Sequence, residues 1–342
     1  MPQKVSAPVR VALIGSGGIS GAHGVGFLKQ ADKIKCVALC DVSQENLKKR
    51  SEQLGNNPRT FADWKVMLKE MGDQIDAVDI CLPHHLHAPA ILDAAAAGKH
   101  VICEKPMCMS LAEADQIADA VKQAGITYMS AHNQLFMPVV QEAKKLIDDG
   151  AIGRVRWLRS QDCFAAGNTE REKWGWRADL KTQGGGELID TGYHPSYRLL
   201  HLAGAPIAKV NGAMGRFALN IDGEDTASVH VRFQNGAIGE ILTSWAFNNP
   251  HGTHQIHVIG DKGQIFGSEN TLYHLPNGYT EPAKRTFKEV HTFEAQLAHF
   301  ADCLREGSRP IHSVEEGRAV LELILGASKS AEGWQASAVR KA

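Results

Sequence analysis

No stretch of this chain approaches the ~20 consecutive apolar residues that cross a bilayer, which excludes a helical membrane span. Residues Met1 to Arg10 hold no apolar segment of signal-peptide length. Net charge is almost absent: 37 Lys and Arg face 38 Asp and Glu, for a formal −1. That balance provides no footprint for nucleic acid or for an anionic membrane surface. The longest basic run, Lys48-Lys49-Arg50, reads as a solvated helix face. Cysteines are few and odd in number, seven, and lie in apolar runs such as Ile80-Cys81-Leu82 and Val101-Ile102-Cys103. They fit buried thiols of a reducing compartment and exclude a disulfide framework. The expected location is cytoplasmic.

What is present is an ordinary globular composition, 43% hydrophobic and 22% charged over 342 residues, long enough for two domains. In the first third, β-branched runs (Val9–Ile14, Ile34–Cys40, Ala77–Leu82, His100–Cys103, Ile126–Ala131) alternate with helical patterns. Two of the helices are Ala88–Ala97, stopped by Gly98, and Leu111–Ala124, stopped by Gly125. Ser110 followed by Glu113 opens the second as a capping box. Strands alternating with helices predict βαβ units and a doubly wound parallel Rossmann sheet.

Beyond about residue 150 the pattern changes. Arg154–Ser160 reads as a strand, Asn168–Gly186 as a polar, Trp-bearing loop, and Glu187–Leu202 as a helix. The runs Ala208–Leu219, Thr226–Phe233, Ala237–Phe247 and Gln255–Ile259, joined by turns such as Asn235-Gly236, predict a large open, mainly antiparallel sheet. A hairpin is expected between Thr253 and Ile265, and helices near Thr292–Glu306 and Val314–Ser330 close the chain. The expected division is a nucleotide-binding domain over 1–131 and an α+β substrate-binding and oligomerisation domain over 132–342, with the closing helices allowed to pack back on the first domain.

The first strand runs into Gly15-Ser16-Gly17-Gly18-Ile19-Ser20. Gly15 permits a tight turn, Gly17 lets backbone approach a pyrophosphate, and the following helix N-terminus offers free N–H groups to phosphate. Ser20 takes the third position, where glycine or alanine is commoner. Asp41 ends the second strand, where a carboxylate accepts the ribose hydroxyls of an adenosine. It would repel a 2′-phosphate, and Val42 and Ser43 bring no cation, so NAD is expected over NADP.

Two further segments carry chemistry: Cys81-Leu82-Pro83-His84-His85-Leu86-His87, followed by Gly98-Lys99-His100-Val101-Ile102-Cys103-Glu104-Lys105-Pro106, and Gly184-Gly185-Gly186-Glu187-Leu188-Ile189-Asp190-Thr191-Gly192-Tyr193-His194. Lys105 ends a strand, the place where ligands of open α/β sheets bind, and Pro106 keeps it extended. Asp190 and His194 stand i, i+4 and share a face if helical. Pro195 would kink or end that helix, which leaves the spacing approximate. Together with the turn at Gly15, these segments closely resemble the glucose–fructose oxidoreductase / inositol dehydrogenase (Gfo/Idh/MocA) family over essentially the whole chain. The resemblance implies that Lys105 polarises a hydroxyl, His194 is the acid/base and Asp190 its orienter or a substrate ligand, all serving one carbinol. It also places Leu82, Pro83, His84, His87 and Glu104 along the cofactor, together with Gly15, Ser16, Gly17, Gly18, Ile19, Asp41 and Lys105.

Departures from the family pattern concern substrate identity. Tyr197 stands where an acidic residue is common, His84 where Asn is, and Leu135 where Arg is frequent. Substrate contacts are expected from Lys105, Asn133, Trp174, Arg177, Asp190, Tyr193 and His194. The trio His84, His85 and His87 lacks a second ligand set at metal spacing, so no metal is expected. The resulting expectation is an NAD-dependent dehydrogenase of a sugar, inositol or glycoside that works as a homodimer or homotetramer through the C-terminal sheet, without nucleic acid or membrane partners. Three alternatives remain at this level: a redox-neutral enzyme working through a transient keto-sugar, a non-catalytic cofactor-sensing regulator, and a metal-dependent hydrolase built on the histidine cluster.

Overall fold

The computed structural model describes residues 5–333. The outer ends of the two expected domains, 1–4 and 334–342, lie outside the described residues. The chain divides into two compact units, one running to Phe136 and taking in Glu289–Leu321, the other Met137–Lys288 with the residues from Glu322.

The first unit holds six parallel strands, β1 (Val9–Ile14), β2 (Ile34–Cys40), β3 (Arg59–Phe61), β4 (Ala77–Ile80), β5 (His100–Cys103) and β6 (Tyr128–Ser130). Their order across the sheet is β3-β2-β1-β4-β5-β6. The order reverses between β1 and β4, and in such sheets that crevice at the carboxyl ends takes the ligand. The helices between strands are α1 (Ser20–Lys29), α2 (Gln44–Leu54), α3 (Trp64–Met71), α4 (His87–Ala96) and α5 (Leu111–Ala124). Their ends follow the expected chemistry. Gly98 and Gly125 turn left-handed, with φ of 68° and 63°, and the Ser110 hydroxyl receives the Glu113 amide at 3.2 Å. The Glu113 carboxylate reaches back to the Met109 amide at 3.0 Å, one residue earlier than a standard capping box. The core joins Val9, Val11, Leu13, Leu39 and Ile102 to Leu297, Phe300 and Leu304 of the closing helix Thr292–Glu306.

The second unit is an eight-stranded sheet: β7 (Val155–Cys163), β8 (Ile207–Gly215), β9 (Thr226–Phe233), β10 (Ile238–Ser244), β11 (Ile256–Gly260), β12 (Gly263–Ser268), β13 (Thr271–Pro276) and β14 (Ala283–Thr286). The order is β14-β13-β12-β11-β7-β10-β9-β8, antiparallel throughout except for the central β7–β10 pair. The hairpin expected near Gly260 is β11–β12, while β13 and β14 extend the sheet further than the sequence pattern suggests. One face, with Leu158, Val229, Val231, Val258 and Ile265, is buried and packs on α6 (Pro138–Asp148) and α8 (Tyr193–Ala203), with the short α7 (Leu180–Gln183) between them in sequence. On the other face Ile238, Trp157 and Ile259 stand in one cross-strand row, and both isoleucines are exposed.

The helix expected over Glu187–Leu202 begins later, at Tyr193. Residues 187–192 form a turn instead, because the Glu187 carbonyl accepts both the Asp190 and Gly192 amides, at 3.1 and 2.9 Å. Pro195 neither kinks nor ends α8. It occupies the first turn, where no intrahelical N–H bond is needed.

Arg198 on α8 is fully buried. Its Nη2 donates to the Gln161 carbonyl at 2.9 Å and its Nε to the Ser160 hydroxyl at 3.2 Å, with Asp162 3.9 Å from Nη1. Arg198→Ala removes that cation and leaves β7 acceptors unmet, so denaturant titration should record a loss of about 3–5 kcal/mol; a loss below about 1 kcal/mol would show that β7 does not rely on it.

Candidate active site

In the first unit the Gly-rich turn leaves β1 at the switch point. Gly15 has φ of 93°, and a Cβ there would stand 2.3 Å from the Cys81 carbonyl oxygen, so only glycine fits. Over Gly17 and Gly18 a Cβ would meet no protein atom within 4 Å. The turn rises from buried Ser16 to exposed Gly18 and Ile19. Ser20 is not a compromise at its position: its hydroxyl donates to the Gly17 carbonyl at 2.7 Å and accepts Arg50 Nε at 3.0 Å. Arg50 also donates from Nη2 to the Gly17 carbonyl at 3.0 Å. The run Lys48-Lys49-Arg50 is therefore solvated only at the two lysines; Arg50 turns inward and braces the phosphate turn from below.

Asp41 follows β2, half-buried. One carboxylate oxygen takes the Ser16 amide at 2.7 Å and the other the Ser43 amide at 2.8 Å. Each oxygen retains a lone pair for a diol. The Ser16 hydroxyl is buried without a protein partner. A bare turn, open space above two glycines, an unmet buried hydroxyl and an acceptor carboxylate at the second strand are the features a dinucleotide requires, and these residues fit one. Leu82 and Pro83 follow β4 on the same carboxyl edge, partly exposed.

Two expected cofactor contacts are corrected. His87 is fully buried and faces the Pro106 carbonyl at 2.6 Å (Nδ1) and the Leu82 carbonyl at 2.8 Å (Nε2). Burial lowers its pKa, and a neutral ring donates only once, so it bonds the nearer Pro106 carbonyl, with both ring nitrogens facing protein. Glu104 is likewise buried, its Oε1 3.0 Å from His23 Nε2 and its Oε2 accepting the Lys105 amide at 3.2 Å. His84 is buried as well, its ring 5.9 Å from that of His87. Asn133, beyond β6, is nearly buried and donates to the Thr292 hydroxyl at 3.0 Å. From His100 to Cys108, Lys105 is the one residue that is not buried.

In the second unit the same pattern recurs: from Gly192 to Leu199, His194 alone is not buried. Asp190 precedes α8 in the turn, so it does not share a helical face with His194. Its Oδ2 lies 2.5 Å from Arg177 Nε, and the Arg177 guanidinium sits 4.2 Å above the Trp176 ring. His194 Nδ1 meets the Tyr197 hydroxyl at 2.7 Å, which gives the residue at the family's acidic position a task the sequence did not disclose. Tyr193 is fully buried, its ring at 62° to that of Tyr197. Trp174 packs at 4.7 Å on Trp245, and its N–H is spent on the Asn168 carbonyl at 2.9 Å. It anchors the loop and is only partly buried.

Beneath the turn, Glu187 is fully buried. The Thr243 hydroxyl donates to its Oε1 while Oε2 has no partner. Burial pushes its pKa well above the carboxylate range; the Thr243 bond opposes this, and the neighbouring acids Glu224, Asp190 and Asp162 add to it. The side chain therefore keeps its proton to a higher pH than a free carboxylate.

The sequence pattern of the oxidoreductase family with an NAD-binding Rossmann fold matches residues 9–132, and that of the Gfo/Idh/MocA C-terminal domain matches residues 140–266. The fold and the nucleotide cradle define an NAD-binding oxidoreductase. The chain belongs to the Gfo/Idh/MocA family. It is 29% identical to a scyllo-inositol 2-dehydrogenase (NAD(+)) of Bacillus subtilis, with 94% of each chain covered. It is 30% identical to a levoglucosan dehydrogenase of Pseudarthrobacter phenanthrenivorans, covering 83% of this chain and 80% of that one. The structure of a levoglucosan dehydrogenase with NADH and levoglucosan superposes with a TM-score of 0.84 at 25% identity, covering 95% of this chain and 97% of that one.

Because the folded state holds a proton on Glu187 that the unfolded chain releases above about pH 4.3, stability should fall as pH rises from there toward the folded-state pKa, at up to ~1.4 kcal/mol per pH unit. Glu187→Gln should remove that slope in denaturant titrations run from acid to mildly alkaline pH. A slope equal to that of the wild type would mean that another group holds the proton.

Proposed function

We propose that this chain is an NAD-dependent dehydrogenase that oxidises a secondary hydroxyl of a sugar, inositol or glycoside, or reduces the matching ketone. The observation that carries this reading is the paired exposure pattern: Lys105 and His194 are each the one non-buried residue of an otherwise buried segment. Segments that bury their neighbours yet keep a lysine and a histidine only partly buried place those two side chains where a ligand can reach them.

An alcohol is a poor acid, so its O–H proton needs a base while charge grows on oxygen. His194 accepts that proton, with its ring steadied by the Tyr197 hydroxyl. The Lys105 ammonium donates to the carbinol oxygen and stabilises the developing alkoxide. Asp190, neutralised by Arg177, leaves further acceptor capacity for a neighbouring hydroxyl. NAD, held by the turn from Gly15 to Ile19 and by Asp41, supplies the hydride acceptor. Asp41 favours NAD over NADP because a carboxylate there repels a 2′-phosphate.

Among the described residues no helix is long and apolar enough to cross a membrane. A cytoplasmic setting fits the seven cysteines, all free and buried. The exposed row of Ile238, Trp157 and Ile259 supports assembly into a dimer or tetramer through the second sheet. A redox-neutral reaction through a transient ketone uses the same residues, but the dehydrogenase names of the relatives favour net oxidation.

The test is a panel of monosaccharides, inositols and glycosides incubated with NAD, scored for reduced cofactor and for product. At least one should reduce NAD, and Lys105→Ala should cost about 10²–10⁴ in kcat with NAD affinity kept. Product without net reduction would favour the redox-neutral route, and a Lys105→Ala enzyme of near-normal turnover would remove the lysine from the mechanism. Asp41→Ala should weaken NAD binding and relax discrimination against NADP in parallel titrations; an unchanged preference would contradict the ribose assignment.

A further inference from the structure

Three ionisable side chains from separate segments meet under the Lys105 loop and take no part in the reaction as described. His23 on α1 is completely buried. Its Nδ1 lies 2.7 Å from Asp79 Oδ2 on β4, and its Nε2 lies 3.0 Å from Glu104 Oε1 just after β5. Both ring nitrogens face carboxylates, which accept and do not donate when ionised, so the ring satisfies both only by donating twice. Burial by itself disfavours that charge, but the Asp79 carboxylate opposes it, and the His23 pKa is held well above its ordinary value. Cys81 packs from the same side, its thiol pushed up to about 12 by burial, and the Phe293 ring lies 5.3 Å from the imidazole.

The ligand atoms of His23, Asp79 and Cys81 lie within 4.8 Å of one another, which raises the question of a metal. Zinc ligands at about 2.0–2.3 Å from the ion stand more than about 3 Å apart, and the 2.7 Å contact between His23 and Asp79 is a hydrogen bond in that place. The cluster is a clamp made of protein groups alone.

What the clamp grips is the carboxylate beside the reactive lysine. Glu104 offers one oxygen to His23 and the other to the Lys105 amide, while on the far side of Lys105 the Pro106 carbonyl is held by His87. Both chain neighbours of Lys105 are thus pinned by buried imidazoles, and the lysine is the residue left to project. We propose that His23, clamped between the Asp79 and Glu104 carboxylates, is a positioning residue for Lys105. It fixes the carboxylate that receives the Lys105 amide and so sets where the ammonium is presented. The same ring also joins α1, which opens at the phosphate turn, to the loop after β5, so the two parts of the cofactor edge share one fastening. This inference rests on the role proposed above for Lys105.

His23→Gln removes the charge and one of the two donations. Backbone amide exchange at Lys105 should accelerate by at least about tenfold in this variant, while core amides of β1 and β4 keep their protection. The kcat should fall at least about tenfold, with NAD affinity within about twofold. Unchanged Lys105 exchange, or wild-type kcat in the folded variant, would overturn the proposal. Should His23→Gln not fold, the double variant Asp79→Asn, His23→Gln removes one charge of each sign and takes the same measurements under the same criteria. In the wild-type protein, 15N spectra should show His23 keeping both ring N–H protons well above the ordinary histidine range; a ring that titrates near that range would likewise defeat it. Amide exchange and the imidazole spectrum need no substrate, so a panel without turnover would refute the dehydrogenase reading and leave this test standing.

Discussion

The bare Cα of Gly15 against the Cys81 carbonyl is the contact on which the nucleotide edge depends. It lets the ends of β1 and β4 close together at the point where the strand order reverses, and the remaining features of the cradle follow from it. The turn can lie flat only because nothing projects at Gly15. Once it does, the Ser16 amide falls to Asp41, and Ser20 and Arg50 can support the Gly17 carbonyl from beneath. A single methyl group there would separate the strands and carry the turn with them.

The two units solve the same problem in the same way. A side chain proposed for chemistry must be reachable and still be aimed, and aiming requires rigid support on both sides. Lys105 is supported by buried ion pairs and carbonyl ties, His194 by a helix start and a phenol. The supports are polar and buried, so each needs its full set of partners. In the first unit that need is met by opposite charges, as in Asp79–His23–Glu104. In the second, Glu187 has a single hydroxyl, from Thr243, and several neighbouring acids, and there the carboxyl holds its proton more tightly.

Much of this was legible in the sequence, and the rest was not, for identifiable reasons. The alternation of strand and helix, the Gly15 turn, Asp41 and the Glu104-Lys105-Pro106 run are local patterns, and the sheet order, with its switch point, agrees with them. Arg50, His23 and the role of Tyr197 escaped notice because their meaning lies in partners remote along the chain or in a helix start that periodicity alone misplaces. The i, i+4 reading of Asp190 and His194 failed because the Glu187 carbonyl captures amides that a helix would have used. The edge strands β13 and β14 were invisible for a different reason. With little burial, β14 shows none of the apolar alternation by which strands are recognised.

The parallel pairing of β7 with β10 has a consequence for how the second unit comes together. These strands are central neighbours in the sheet, yet the chain between them contains the Trp176–Arg177 loop, the turn of Asp190, α8, β8 and β9. The middle of the sheet therefore closes only after a long excursion has been reeled in, and that excursion is the segment that carries His194. Assembly of the sheet and maturation of the reactive turn become one late, slow event, since distant pairings meet their entropy cost before any contact rewards it. A nascent chain released before β10 would seat the helix of His194 on β7 alone, without the second central strand beneath it.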